Sequence, residues 1–229
     1  MTAEVIVSRP VPTDLPDPSA LLATWAAGLA IGAAVVARWS IVGPGFLWTI
    51  AAASLVVGVF SVPLGVVSVL ALGAVAAASI AARRPVAASW LFAAGGMGFV
   101  VSASSQMRWP LVVTGLLALG GTSSEMLLGH WYLVDPRLPR WSLRTLDGAG
   151  IGGLLADLVL VVGLGGLVGA GTLGWVFLGL GAVGVSMMLG VWFSLREKGY
   201  EGVMAATGLS YLSVLTTLGS VALGRYLVG

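Results

Sequence analysis

Residues 40–82 read SIVGPGFLWTIAAASLVVGVFSVPLGVVSVLALGAVAAASIAA, a run without one charged side chain. A helix rises about 1.5 Å per residue, so as a single rod this run would be roughly 64 Å long. That is about twice the roughly 30 Å hydrocarbon core of a bilayer. The run therefore reads as two spanning helices, with Pro63 as the expected break, because proline has no backbone N–H to donate.

The rest of the chain follows this pattern. Apolar segments long enough to cross a bilayer lie at 20–37, 41–62, 64–82, 86–104, 111–134, 150–170, 173–195 and 203–224, the sixth and seventh dividing near Gly169–Gly174. The expected fold is all-α: a polytopic transmembrane bundle of about eight spans forming one domain over 20–229. Residues 1–19 carry four prolines and lack the basic-then-apolar order of a cleavable signal peptide, so an extended tail is expected there.

Composition agrees. Of 229 residues, 58% are hydrophobic and 9% charged, with a mean hydropathy of +1.03. A soluble domain carries about 25% charged residues, so lipid must be the solvent over most of this surface. The 34 glycines are about twice the usual share and let helices approach closely; Gly28 and Gly32 form a GxxxG pair of this kind. A net charge of +2 is too small to suggest nucleic acid. The expected partners are the lipid bilayer and other membrane chains.

Cysteine is absent, which excludes disulfides, iron–sulfur clusters on cysteine and covalently attached haem. With His130 as the only histidine, no bis-His haem can form within the chain, and no metal site is indicated. The only lysine, Lys198, lies in a charged loop, which argues against a retinal-type Schiff base. Quinone or a bound lipid are the ligand classes left open. The glycines at 163–174 match no nucleotide-binding fingerprint.

Basic residues set the expected orientation. Arg38, Arg83, Arg84, Arg137, Arg140, Arg144, Arg196 and Lys198 fall on one side, against Arg9, Arg108 and Arg225 on the other. The arginine-rich loops are thus expected in the cytoplasm, with both termini extracytoplasmic, in a plasma membrane of bacterial type. A four-plus-four repeat is hinted at by Leu70-Ala-Leu-Gly-Ala-Val75 and Leu178-Gly-Leu-Gly-Ala-Val183. Matches of this length also arise by chance in so Ala/Gly-rich a chain.

Chemistry concentrates between Gly121 and Asp135, GTSSEMLLGHWYLVD. Glu125 lies four residues from both Gly121 and Gly129, on a face where another helix can approach, with Thr122 placed to donate to it. An ionised acid at membrane depth costs about 2.5–3.5 kcal/mol on insertion scales, so Glu125 must be protonated, paired or wetted. Its ordinary alternative is a protonated carboxyl joining two helices. Asp157, seven residues into the sixth segment, is expected at a similar depth, where the two acids could share a proton; pairing of each with a loop arginine is the competing expectation.

His130 points about 140° from Glu125 on an ideal helix and sits with Trp131 and Tyr132. This triplet reads as an interfacial anchor or as the rim of a quinone or headgroup site. Arg137, Arg140 and Arg144 lie in the loop 135–147; from Pro139 onward it could form an interfacial helix turned toward anionic headgroups. No complete catalytic set is present. The first expectation is a non-catalytic integral membrane subunit of a larger assembly, with a proton- or quinone/lipid-interacting site near the cytoplasmic side. The alternative is a small proton- or cation-coupled transporter using Glu125 and Asp157, and a lipid-modifying intramembrane enzyme ranks last.

Overall fold

The computed structural model describes residues 17–197 and 199–229; the expected tail over 1–16, with Arg9, and Lys198 lie outside the described residues. It is all-helical. Eight helices are long and apolar enough to cross a membrane: α1 Pro18–Trp39, α2 Pro44–Gly58 continued by a 3-10 turn to Leu64, α3 Val66–Ile80, α4 Pro85–Ser104, α5 Trp109–Tyr132, α6 Arg140–Gly163, α7 Gly171–Ser194 and α8 Tyr200–Val228.

Local chemistry sets the boundaries. α1 begins on an Asp17 side chain that accepts from the Ser19 N–H at 2.8 Å, with Pro18 in the first turn. There a missing N–H costs nothing, and α2, α4 and α5 also carry proline in their first turn. The α2–α3 break differs from expectation. Pro63 lies inside the 3-10 extension, and the chain reverses at Gly65, whose φ of +106° disfavours any residue with a Cβ.

The larger difference is α6. It starts at Arg140, ten residues before the expected Gly150, so the sequence expected to form a separate interfacial helix is the first part of the span itself. Leu143 and Leu146 are buried there. Arg140 and Arg144 reach the end of α7 instead of lying along a membrane surface. Arg140 donates to the Glu197 carbonyl and, at 2.9 Å, to that of Gly199; Arg144 donates to the Leu195 carbonyl at 3.3 Å. Cations at a helix C-terminus satisfy its free carbonyls and its dipole.

The helices form two rings with the same neighbour order. In the first half α1 touches α2 and α4, and α3 closes the ring; in the second α5 touches α6 and α8, and α7 closes it. The halves meet along α1 and α5, which run parallel: Gly28 lies against Gly120 and Gly32 against Ser124. Both pairs are offset by 92, as are the initiating Pro18 and Pro110 and the terminal Trp39 and Trp131. Those tryptophans make matching cross-contacts. Trp39 packs edge-on against Trp141 at the start of α6, and Trp131 edge-on against Phe46 at the start of α2.

The close approach is severe. A Cβ on Gly28 would lie 2.6 Å from the Gly120 Cα, so this half of the GxxxG face is a backbone contact that glycine alone permits, while Gly32 makes room for the Ser124 side chain. Around it Ala23, Ala26, Ala27, Ala30, Ala33 and Ala37 are all fully buried.

Candidate functional site

Among the described residues the buried charged groups, Glu125, Asp147, Asp157 and Arg225, all lie in the second half. α5 and α6 are antiparallel, with Gly121 against Gly150 and Ala118 against Gly153. In that register Glu125 is level with Leu146 and Asp147, and Asp157 is level with Thr114, whose hydroxyl donates to it. Glu125 and Asp157 are therefore eleven α5 residues apart, about 16 Å at 1.5 Å per residue. The expectation that they share a depth fails because α6 begins ten residues early.

Glu125 is 2% exposed. One of its oxygens accepts from the Ser210 hydroxyl of α8, while Oε1 has no protein partner. The glycines beside it divide their work: Gly121 lets α6 approach, and Gly129 lets in Thr207 of α8, whose hydroxyl would be 3.0 Å from an added Cβ. Thr122 does not serve Glu125; its hydroxyl donates to the Ala118 carbonyl at 2.6 Å.

Asp147, also 2% exposed, is the acid that shares Glu125's level. Its Oδ2 has no partner, and the two carboxylates are near enough for their charges to act on one another. Among the described residues no cationic side chain pairs with either of them.

Asp157 is different. Arg225 of α8 clamps it with two bonds, NH2 to Oδ1 at 2.7 Å and NH1 to Oδ2 at 3.1 Å, and NH2 also donates to the Leu111 carbonyl at 2.6 Å. Both side chains are almost wholly buried, at 3% and 1% exposure. Arg225, counted in the sequence as an extramembrane topology signal, is thus an interior cation, and Asp157 pairs with it and not with a loop arginine.

The rim residues do not converge. His130 is exposed, with Nδ1 3.2 Å from the Tyr211 hydroxyl of α8. Trp131 turns onto Phe46 and Gly45 of α2, and Tyr132 is buried in the apolar core. Arg137 is exposed, its backbone N–H donating to Asp135 Oδ1. No flat-ring slot forms between these side chains.

Sequence reasoning missed Asp147, placed in a loop, and Ser210. The signal for Ser210 was present. Thr207, Ser210, Ser213, Thr217 and Ser220 recur at spacings of three and four, which puts five hydroxyls on one face of α8, and all five are buried. No family model, curated protein or solved structure matches the chain.

Proposed function

We propose that the chain is a small proton- or cation-coupled membrane transporter in which Glu125, with Asp147 beside it, takes up and releases the ion. One observation carries this reading: two buried carboxyls at one level, each with an oxygen lacking a protein partner and neither paired with an arginine. A carboxylate so placed in an apolar bundle must bind a proton or a metal cation, because leaving two like charges uncompensated there is too costly. Intramembrane acids facing a bundle interior mark ion pathways in general. The two rings of four helices meeting at α1 and α5 resemble the parallel internal repeats on which transporters are built. With the arginine loops in the cytoplasm, the acid pair lies toward the cytoplasmic side. Asp157, tied to Arg225, is not part of this pair.

The test is reconstitution of the purified chain into liposomes with an imposed ion gradient. Gradient-driven ion movement that is abolished by Glu125→Gln and weakened by Asp147→Asn is the expected result. A chain that purifies only with other subunits and moves no ion alone would replace this reading with that of a non-catalytic subunit.

A further inference from the structure

We infer that the transported ion is a proton, and that its route lies wholly inside the C-terminal half, from the Asp157–Arg225 pair along Ser220 and Thr217 of α8 to Glu125. This rests on the reading of Glu125 as the exchange group.

The hydroxyls of α8 behave in two ways. That of Ser210 donates to Glu125, and those of Thr207, Ser213 and Thr216 donate to backbone carbonyls three or four residues earlier, the usual resting place for such groups. Those of Thr217 and Ser220 do not, although both residues are fully buried and neither hydroxyl has any protein partner. An unpaired hydroxyl in a dry interior costs about 1–3 kcal/mol. Water bridging between polar groups removes that cost.

Their position gives the water a purpose. From Arg225, Ser220 is about 7 Å down the α8 axis, Thr217 about 5 Å further, Ser213 about 6 Å beyond that and Ser210, on Glu125, about 5 Å more, at 1.5 Å per residue. Each gap is the length of one or two hydrogen-bonded waters. Opposite Thr217, α7 presents Gly184, where an added Cβ would lie 3.6 Å from the Thr217 hydroxyl. The same Cβ would lie 3.0 Å from Leu154 and 3.3 Å from the Thr216 hydroxyl, so a glycine there lets α7 pack directly against these hydroxyls.

The surroundings select the ion. Leu119, Leu154, Met188 and Val221 fill the same levels and are fully buried. A hard metal cation needs about six oxygen ligands along its way, and this lining offers a few single hydroxyls. A proton needs only a chain of hydrogen bonds. At the far end a cavity of about 220 Å³ reaches Arg225 and is also lined by Arg108, Gln106 and Asp17. Asp157 is faced by Arg225 from α8 and Thr114 from α5, and Glu125 by Ser210 from α8 and Asp147 from α6.

In the step itself a hydronium ion in the cavity, which reaches Arg225, gives its proton inward to Asp157 behind the guanidinium and becomes water, and the neutral carboxyl loosens its hold on Arg225. The proton then moves along the hydroxyl–water chain, each hydroxyl accepting one proton and giving one up, until the Glu125 carboxylate holds it. Asp157 returns to its ion pair.

The full chain in liposomes, with a pH-sensitive dye inside and an acid jump outside, tests this. Thr217→Val, which keeps the side-chain shape, and Ser220→Ala are each expected to cut proton flux by about tenfold, roughly 1.4 kcal/mol of barrier. Elution volume and helix content are compared with those of the unaltered chain to confirm folding. The paired change Asp157→Asn with Arg225→Gln, which leaves no stranded charge, is expected to do the same. Wild-type flux in Thr217→Val and Ser220→Ala, with flux abolished in Glu125→Gln, overturns the route and leaves the exchange group standing. A sodium gradient that drives flux at fixed pH overturns the choice of ion. Vesicles of the unaltered chain that move neither ion overturn the reading of Glu125 itself.

Discussion

The Asp157–Arg225 pair gives the sharpest energetic prediction. Arg225 makes two bonds to the carboxylate and a third to the Leu111 carbonyl, and Thr114 completes the carboxylate's shell. With exposures of 3% and 1%, neither charge can turn to water when its partner is lost. Breaking a buried pair from one side costs about 3–5 kcal/mol, whereas replacing both partners with apolar groups is often close to neutral. Asp157→Leu and Arg225→Met should each fall in the costly range, and the double variant should regain most of the loss. For a chain of this size 1 kcal/mol moves the midpoint by about 2–4 °C, so each single variant should melt about 6–20 °C below wild type. Thermal unfolding of the detergent-solubilised protein, followed by circular dichroism over all four corners of the cycle, measures this. Glu125→Gln is the contrast: with no cation to strand and Ser210 still able to donate, its midpoint should stay within about 4 °C of wild type. The reasoning is refuted if both pair variants lie within about 1 kcal/mol of wild type, or if the double variant loses the sum of the two.

Two further predictions concern packing. Gly28→Ala places a Cβ 2.6 Å from the Gly120 Cα and 2.8 Å from the Leu116 carbonyl oxygen; because backbone must give way, a cost of about 2–3 kcal/mol is expected, read as a lower melting midpoint. Gly73→Ala, with nothing within 4 Å of its added carbon, should be neutral or gain up to about 1 kcal/mol; equal behaviour of the two variants would remove the backbone contact from the account. Joint replacement of Arg140 and Arg144 by glutamine should loosen the α7–α8 connection, since both cap carbonyls there. Faster amide exchange of the last turn of α7 relative to α5 would show it, and unchanged exchange would count against the capping role.

What the sequence made legible follows from what membrane insertion demands. Eight spans could be read because each must be long and apolar, and the structure has eight helices of that kind. The start of α6 was hidden for the same reason, because a hydropathy reading treats arginines as loop. Arg140 and Arg144 instead use their length to reach carbonyls of the α7–α8 connection, at Leu195, Glu197 and Gly199, while Leu143 and Leu146 stay inside. That one boundary accounts for the misplaced acid pair. Measured from Gly150, Asp157 is seven residues deep and level with Glu125; measured from Arg140 it is seventeen deep, near the other end of the bundle. Arg225 was misplaced by a neighbouring assumption, that an arginine close to a helix end lies in the aqueous phase. Its partner, Asp157, is 68 residues away in the chain, and no local pattern could announce it.

The two halves share a neighbour order but not a chemistry, and this limits how the bundle can work. At the offset of 92 that relates α1 to α5, Glu125 corresponds to Ala33, a fully buried alanine. The other acids and the cation of the interior, Asp147, Asp157 and Arg225, also belong to the second half. A binding site shared between the repeats would draw polar groups from both, and here the seam between α1 and α5 is closed by glycine backbones in contact at Gly28 and Gly120. The polar groups at that seam include the Ser123 hydroxyl, which accepts from the Trp25 indole N–H at 2.9 Å, and the buried Ser124 hydroxyl against Gly32. The second ring is also closely packed, with Gly184 against Leu154 and Thr216 and Gly150 against Met188 and Thr122.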